Sequence, residues 1–288
     1  MLSFQEGKAC DAIIRYIESR AKAERTDVHF HDTHPDRRRR IELTFRAGGT
    51  LYAIEHTGIE PFADFMRMNR ESERLFAPIV AAVSGSLSPD EVVQLDIPVG
   101  ALFEKPKKLL HSIQSALASF VLARSPLITV RSYADYSAGI GPVIPPSVPF
   151  AVHLYRFKSP NAPYRFIIKH RLSSDANTMR RERILKACDD KFPKLASWRD
   201  ADHARTIFIL EDNDIQLTNE ALVAEAYLPI ARARNDRPDE TYVMMTFTNT
   251  WYVWPILVDN VSYFDLAGRY HPIHLEFDSK DLAPVTSR

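Results

Sequence analysis

The stretch Arg40–Thr57, which reads RIELTFRAGGTLYAIEHT, decides the fold expected for this chain. Two runs in which polar and apolar residues alternate flank Gly48 and Gly49. A Gly-Gly pair suits a two-residue type I′ turn, because both central residues of that turn need positive φ. The stretch therefore predicts a β-hairpin, in which Glu42 lies opposite Glu55.

Two facing glutamates are an unusual feature of a hairpin. Like charges directly opposite each other destabilise a sheet, so Glu42 and Glu55 need a cation, a shared proton or full hydration. The same register places Arg40 opposite Thr57. The run Arg37–Arg40 leads straight into the hairpin; such runs are most often solvated loops, but this one could also hold phosphates near the glutamates.

The composition is that of a folded protein. The chain has 288 residues, of which 45% are apolar and 26% charged, values that exclude a disordered chain. Lys+Arg and Asp+Glu both number 37, so any nucleic-acid-binding surface must be local. The first residues carry charges where a signal peptide needs an apolar run, and no apolar run of about 18 residues occurs. We therefore expect a cytoplasmic protein with no membrane association.

Periodicity predicts further helices and strands outside the hairpin. Helices are expected at 3–24, 62–83, 105–124, 177–198 and 219–233, and strands at 92–98, 150–157, 164–170, 205–210, 241–246 and 251–258. The strands at 150–157 and 164–170 are expected to form a second hairpin. The residues from 261 onward are expected to form an irregular tail.

Two of the predicted helices carry candidate functional side chains. The helix at 177–198 has a basic polar side with Arg180, Arg181, Arg183, Lys186, Lys191 and Lys194. Most such faces are only solvated, but this one could equally line a phosphodiester backbone. On the first helix, Glu6 shares a stripe with Cys10 and Ile13, and it is the acid most expected to point inward.

A histidine-rich segment offers a different metal site. His29, His31 and His34 lie close together in the sequence, so a zinc site is conceivable. Their spacing fits no standard zinc pattern, and no second ligand pair stands out. A histidine-zinc hydrolase is therefore a distant alternative.

The order of these elements resembles the PD-(D/E)xK nuclease superfamily, whose core runs α-β-β-β-α-β. That family carries an acid on one strand and an acid-x-Lys on the next. Glu42 and Glu55-His56-Thr57 match those positions, except that Thr57 replaces the lysine. The segments Ala53–Thr57, Lys191–Trp198 and Leu210–Thr218 also resemble a group of uncharacterised bacterial proteins, which implies no activity.

The resemblance implies an α/β fold with a restriction-endonuclease-like core, in which helices flank a mixed central sheet. Residues 1–61 and 177–260 would form this core. Residues 62–176 would be a large α+β insertion of helices and a β-hairpin, and residues 261–288 the irregular tail.

The resemblance also implies a metal-dependent nuclease acting on DNA or RNA. Glu42, Glu55 and the backbone carbonyl of His56, with Glu6 as a further candidate, would hold Mg²⁺ or Mn²⁺, which prefer oxygen ligands. In the family the lysine places positive charge beside the attacking water, and Lys191 is the residue expected to do so here. Lys194 and Arg40 are the alternatives for that role.

The expected site thus has two parts. The catalytic set is Glu42, Glu55, Thr57 and Lys191. The nucleic-acid-binding set is Arg37, Arg38, Arg39, Arg40, Arg180, Arg181, Arg183 and Lys194.

Two other classes of protein remain open. One is a non-catalytic nucleic-acid-binding module, in which loss of the lysine has degraded the metal site. The other is a structural or interaction protein, in which Glu42 and Glu55 are solvated or paired with Arg37–Arg40.

Overall fold

The computed structural model describes residues 4–59, 65–130, 139–159, 165–171, 176–212, 219–264 and 274–285. The chain forms two compact units. Met1–Ala63 and Ala176–Arg288 together make the first, here called the core unit, and Asp64–Asp175 makes the second, the inserted unit. The sequence prediction placed the insertion at 62–176. No helix in the described ranges is both long and apolar enough to cross a bilayer.

The helices and strands follow one another in mixed order along the chain. The helices are α1 (Phe4–Ala21), α2 (Phe65–Ser84), α3 (Lys107–Arg124), α4 (Ala176–Asp202) and α5 (Glu220–Arg232). The strands are β1 (Thr26–Phe30), β2 (Leu43–Ala47), β3 (Thr50–Ile59), β4 (Glu91–Pro98), β5 (Ile140–Val143), β6 (Val152–Lys158), β7 (Phe166–Arg171), β8 (Arg205–Asp212), β9 (Glu240–Met245), β10 (Thr250–Val258), β11 (Val261–Ser262) and β12 (Leu275–Asp278).

The core unit is a mixed α/β structure built on an eight-stranded sheet. The strand order is β1-β2-β3-β8-β9-β10-β11, and β12 also pairs with β10. Strands β3, β8 and β9 run parallel to one another, whereas the remaining pairs are antiparallel. The chain enters this parallel part of the sheet through β3 and returns to it from α4 into β8.

Helices cover both faces of the sheet because its strands alternate apolar residues between them. Ala53 of β3 and Phe208 of β8 belong to a buried cluster with α4 and α5. The next residue on each strand, Ile54 and Ile209, belongs to a second cluster with α1. The α4 side and the α1 side of the sheet are therefore distinct chemical environments.

The predicted hairpin and its register are confirmed. Gly48 and Gly49 have φ values of +57° and +83°, and Ala47 pairs with Thr50 in an antiparallel ladder that continues to Leu43 and Ile54. Only glycine adopts such φ values without a steric penalty. The turn chemistry therefore fixes which residues of β2 and β3 face each other.

The prediction of an irregular tail from residue 261 is wrong for part of that segment. Strands β11 and β12 both pair with β10. Their shortness explains the error: β11 has two residues and β12 has four, too few for an alternating pattern to stand out. Residues 265–273 and 286–288 of the predicted tail lie outside the described ranges.

The inserted unit contains its own sheet, with the order β5-β6-β4-β7. A separate buried cluster joins this sheet to α2 and α3. The predicted hairpin of β6 and β7 is wrong, because β4 lies between them, antiparallel to β6 and parallel to β7. Strand β4 has buried apolar residues on both faces, such as Val92 and Val93, and such a strand favours a central position.

Candidate functional site

The hairpin brings Glu42 and Glu55 together as the sequence predicts. The backbone N–H of Glu42, just before β2, donates to the carbonyl of Ile54 at 3.2 Å, which extends the ladder by one residue. Glu55 is fully buried, and it pairs with Phe208 across the parallel β3–β8 ladder. Alternation along β3 directs Glu55 and Thr57 to the α4 side of the sheet.

Two lysines of α4 contact these acids. Lys191 Nζ donates to Glu55 Oε2 at 2.5 Å and lies 3.5 Å from Glu42 Oε1. Lys194 Nζ donates to Glu55 Oε1 at 3.2 Å. Lys191 is therefore shared by both glutamates, whereas the recorded ion pair of Lys194 is with Glu55. These ammonium groups supply the cation that the facing carboxylates need.

The charges in this cluster are strongly coupled. Burial raises the pKa of Glu55, and the neighbouring Lys191 only partly offsets that effect. Burial alone would lower the pKa of Lys191, but the charges and hydrogen bonds of Glu55 and Glu42 raise it. Lys191 therefore carries its proton at neutral pH.

A pocket of about 430 Å³ opens between the end of β3 and α4. It is lined by Thr57 and Gly58 at the end of β3 and, on α4, by Arg183, Lys186 and Asp190 among others. Thr57 shares a face with Glu55, and Asp190 precedes Lys191 in the chain. The lining does not include Glu55 or Lys191 themselves, and a polar ligand in this pocket would meet Thr57, Arg183 and Lys186.

The four arginines before the hairpin take different positions. Arg37–Arg39 form a 3₁₀ turn capped by Asp36, and Arg37 and Arg38 are exposed. The Arg39 guanidinium lies 4.0 Å from the ring centroid of Trp198 and pairs with Asp202 of α4.

Arg40 is not placed opposite Thr57 in a continued ladder. Strand β2 begins at Leu43, and Arg40 Nε donates to the carbonyl of His34 at 2.7 Å. Among the three candidates for the displaced lysine, the structure brings Lys191 and Lys194 to the acids.

The basic side of α4 is less uniform than its sequence indicates. Arg180 is buried and donates to Asn177 Oδ1, so it is not part of an exposed basic face. It shares the inward stripe of Ile184 and Cys188 at a spacing of four residues, which is the signal that sequence reasoning overlooked. Arg181 is exposed.

His56 lies on the opposite, α1 side of the sheet. Its Nε2 is 2.8 Å from Glu211 Oε2, and both side chains are buried. Gln5 and Thr246 donate to Glu211 Oε1 at 3.0 and 2.6 Å. Burial alone would raise the pKa of Glu211, but His56 and these donors lower it.

Sequence reasoning missed the Glu211 cluster as a unit. The polar run that begins at Glu211, near the end of the buried strand β8, could be functional or could only form a turn, but nothing in the sequence indicates that Gln5 and Thr246 reach Glu211. Glu6 lies in the first turn of α1, partly buried. After the larger effect of burial, Glu42 and then Glu6 raise the pKa of the Cys10 thiol.

Within the described ranges, no group of three or more His, Cys, Asp or Glu side chains is arranged to hold a metal ion. His31 Nε2 instead bonds Thr44 Oγ1 at 2.9 Å, and its ring lies 4.5 Å from that of Trp198. The His29 and His34 rings lie 6.5 and 6.3 Å from that of His31. Any metal held by Glu42 and Glu55 would thus depend on two carboxylates, backbone oxygens and water.

Comparisons with protein-family models, with curated proteins and with solved structures find no match to this chain.

Proposed function

We propose that the core unit is a metal-dependent nuclease that hydrolyses phosphodiester bonds of nucleic acid. The single observation that carries the proposal is the meeting of Glu42, Glu55 and Lys191 around one point. Two facing acids and one lysine are the groups that the PD-(D/E)xK resemblance requires. Here the lysine comes from α4, and Thr57 occupies the β3 position at which the family carries the lysine.

The topology of the core unit supports this proposal. Helix α1 is followed by the antiparallel strands β1, β2 and β3, and then α4 leads into β8, which lies parallel to β3. This order agrees with the α-β-β-β-α-β order that the resemblance implies, and it therefore supports the proposal. Glu42 lies just before β2 and Glu55 within β3, on neighbouring antiparallel strands as the resemblance implies.

The donor set fits a small divalent cation. Glu42 and Glu55 already share one cationic group, the ammonium of Lys191, so their oxygens can serve a common positive centre. Carboxylate oxygens, the backbone carbonyl of His56 and water suit Mg²⁺ or Mn²⁺, and Mg²⁺ is commonly held by only one or two carboxylates. Bound there, the ion would neutralise phosphate charge and activate water.

The protein side chains have separate roles in this proposal. Since Lys191 remains protonated, it stabilises negative charge on the phosphate and does not act as a base. The Thr57 hydroxyl, which lines the adjacent pocket, can donate a hydrogen bond to a phosphate oxygen. Arg183 and Lys186 line the same pocket and add positive charge for a nucleic-acid backbone.

One observation favours a second function. Both oxygens of Glu55 accept hydrogen bonds from lysines, and an acid neutralised in this way can be purely structural. The second candidate is therefore a non-catalytic nucleic-acid-binding or protein-interaction module on the same fold, with a degraded metal site.

Isothermal titration calorimetry with Mg²⁺ and Mn²⁺ tests the proposal. We expect the full chain to bind the ion, Glu55→Gln to lose binding, and Glu24→Gln, which removes an exposed acid between α1 and β1, to bind as the parent does. No binding by the parent would overturn the nuclease proposal. Binding of the ion without cleavage of DNA or RNA would overturn the catalytic claim and leave a metal-binding module without nuclease activity.

A further inference from the structure

The inserted unit carries a row of aromatic side chains on one face of its sheet. Val152 and Leu154 of β6 pack into the cluster with α2 and α3, so the alternate residues His153, Tyr155 and Phe157 point to the other face. Neighbouring rings in this row are within 10° of parallel, with centroids 6.3 and 6.0 Å apart. His153 and Tyr155 are partly exposed, whereas Phe157 is buried.

Glycines beside β6 let two of these rings lie against the backbone. A Cβ at Gly139 would overlap the Tyr155 ring, and a Cβ at Gly141 would overlap the ring of His153. The absence of side chains at these two positions therefore leaves room for the rings. Such an arrangement gives parallel aromatic surfaces held by a rigid sheet.

Cationic side chains lie on the same face. Lys169 and Arg171 of β7 alternate with Phe166 and Ile168, which pack against the helices, so both cations point to the face of the aromatic row. The Arg171 guanidinium contacts the ring of His153 and is exposed. Among the described residues of this face the acid is Asp96 of β4, which accepts from Gln94 at 2.7 Å and also interacts with Lys169 and Arg171, so two cations face one acid.

We propose that this face of the inserted unit binds the unpaired bases of a single-stranded nucleic acid. A base stacks on the ring of Tyr155, and Lys169 and Arg171 contact the phosphates. Every base has a π-face, so stacking of this kind tolerates any sequence. A duplex keeps its bases stacked on one another, so it does not offer those faces. This inference rests on the proposed function, which makes nucleic acid the partner, and it specifies that the nucleic acid is single-stranded.

Fluorescence anisotropy with the full chain in EDTA tests this inference without any cleavage. The probes are a labelled oligothymidylate of about 12 nucleotides and a duplex of the same length. We expect tighter binding of the single strand. Stacking contributes about 1–3 kcal/mol per base, so Tyr155→Ala should weaken binding at least about fivefold, while Tyr155→Phe should bind within about twofold, because it keeps the ring.

Two variants that each remove one positive charge test whether this face of the sheet is the binding surface. Arg171→Ala should weaken binding more than Lys158→Ala, which removes the same charge at the end of β6 on the other face. Equal effects of these two variants, or parental affinity in Tyr155→Ala, would overturn the inference, as would preference for the duplex. Circular dichroism confirms that each variant is folded.

The two proposals fail separately. Single-strand binding that persists in a chain without Mg²⁺ or Mn²⁺ affinity would reject the nuclease and keep this inference. Metal binding and cleavage with unchanged affinity in Tyr155→Ala would reject this inference and keep the nuclease.

Discussion

Lys191 and Lys194 are one turn apart on α4, yet they are not equivalent. Lys191 lies within reach of both glutamates, whereas the ion pair of Lys194 among the described residues is with Glu55. In the proposed nuclease, a lysine shared by both acids would lie where the substrate phosphate and the metal meet. The structure thus separates two residues that the sequence leaves as rivals.

Replacement of each lysine by methionine tests this difference. Lys191→Met should reduce Mg²⁺-dependent cleavage about 10²- to 10³-fold, the usual cost of one lost electrostatic donor in an active site. Lys194→Met keeps the shared ammonium and should cost less than about tenfold. Single-turnover rates on a labelled oligonucleotide measure both, with thermal unfolding as the control for folding. Equal losses would contradict the assigned role of Lys191.

The buried position of Glu55 predicts a pH dependence of metal affinity. A metal needs the ionised carboxylate, and burial raises the pKa of Glu55 above its ordinary value of 4.5. As the pH falls, protons should therefore displace the metal at a higher pH than at an ordinary glutamate. Calorimetry with Mn²⁺ between about pH 7.5 and 4.5 measures this. An affinity that stays constant down to pH 4.5 would contradict it.

Among the elements, strand β3 places functional side chains on both faces of the sheet. Glu55 points to α4, and the next residue, His56, points to the α1 side and bonds Glu211 of β8. Strands β3 and β8 are adjacent and parallel. The His56–Glu211 pair therefore links β3, which carries Glu55, to β8. We assign this pair a structural role that holds Glu55 in place.

Glu211→Gln should destabilise the core unit by about 1.5–3 kcal/mol, the range for hydrogen bonds to charged groups. The folded-state pKa of Glu211 is lowered, so its stabilising effect is present above the ordinary value of 4.5 and is lost as the pH falls through the folded value. Urea unfolding at pH 7 and at about pH 3.5 measures the difference between parent and variant. A difference that does not shrink in acid would contradict this assignment.

Local chemistry explains which elements could be predicted from the sequence. The register of β2 and β3 follows from Gly48 and Gly49, since a tight turn determines its own strand pairing. The pairing of β6 and β7 could not be found in this way, because β4 is distant in the sequence and inserts between them. The residue pattern of a strand does not indicate which distant strand it pairs with.

The same distinction applies to the candidate site. Glu42 and Glu55 were identifiable because one turn sets them face to face. Lys191 was expected only through the resemblance, and its spacing on α4 did not separate it from Lys194. Arg180 was misplaced because its charge was given more weight than its position in the apolar stripe of α4. Side chains that meet across distant elements require the structure.

At the scale of the whole molecule, the chain divides its core residues between two units. The buried cluster around β4, α2 and α3 lies entirely within the inserted unit, and the clusters of the core unit lie on either side of the larger sheet. Each unit therefore has the apolar core that independent folding requires.

The fragment Asp64–Asp175 should fold when it is expressed alone. A domain of about 100 residues with its own core is expected to unfold cooperatively with a free energy of about 5–15 kcal/mol. Urea unfolding followed by circular dichroism, together with the dispersion of amide resonances, measures this. A non-cooperative transition with collapsed resonances would show that the inserted unit depends on the core unit.

The most direct test of the central claim is cleavage of labelled single-stranded and duplex DNA and RNA by the full chain, with Mg²⁺ or Mn²⁺ and with EDTA. We expect cleavage that requires the metal and falls at least about 10²-fold in Glu55→Gln, while Glu24→Gln, which removes an exposed acid between α1 and β1, cleaves as the parent does. Absence of cleavage of every substrate, or equal cleavage by the parent and Glu55→Gln, would contradict a nuclease site at Glu42, Glu55 and Lys191.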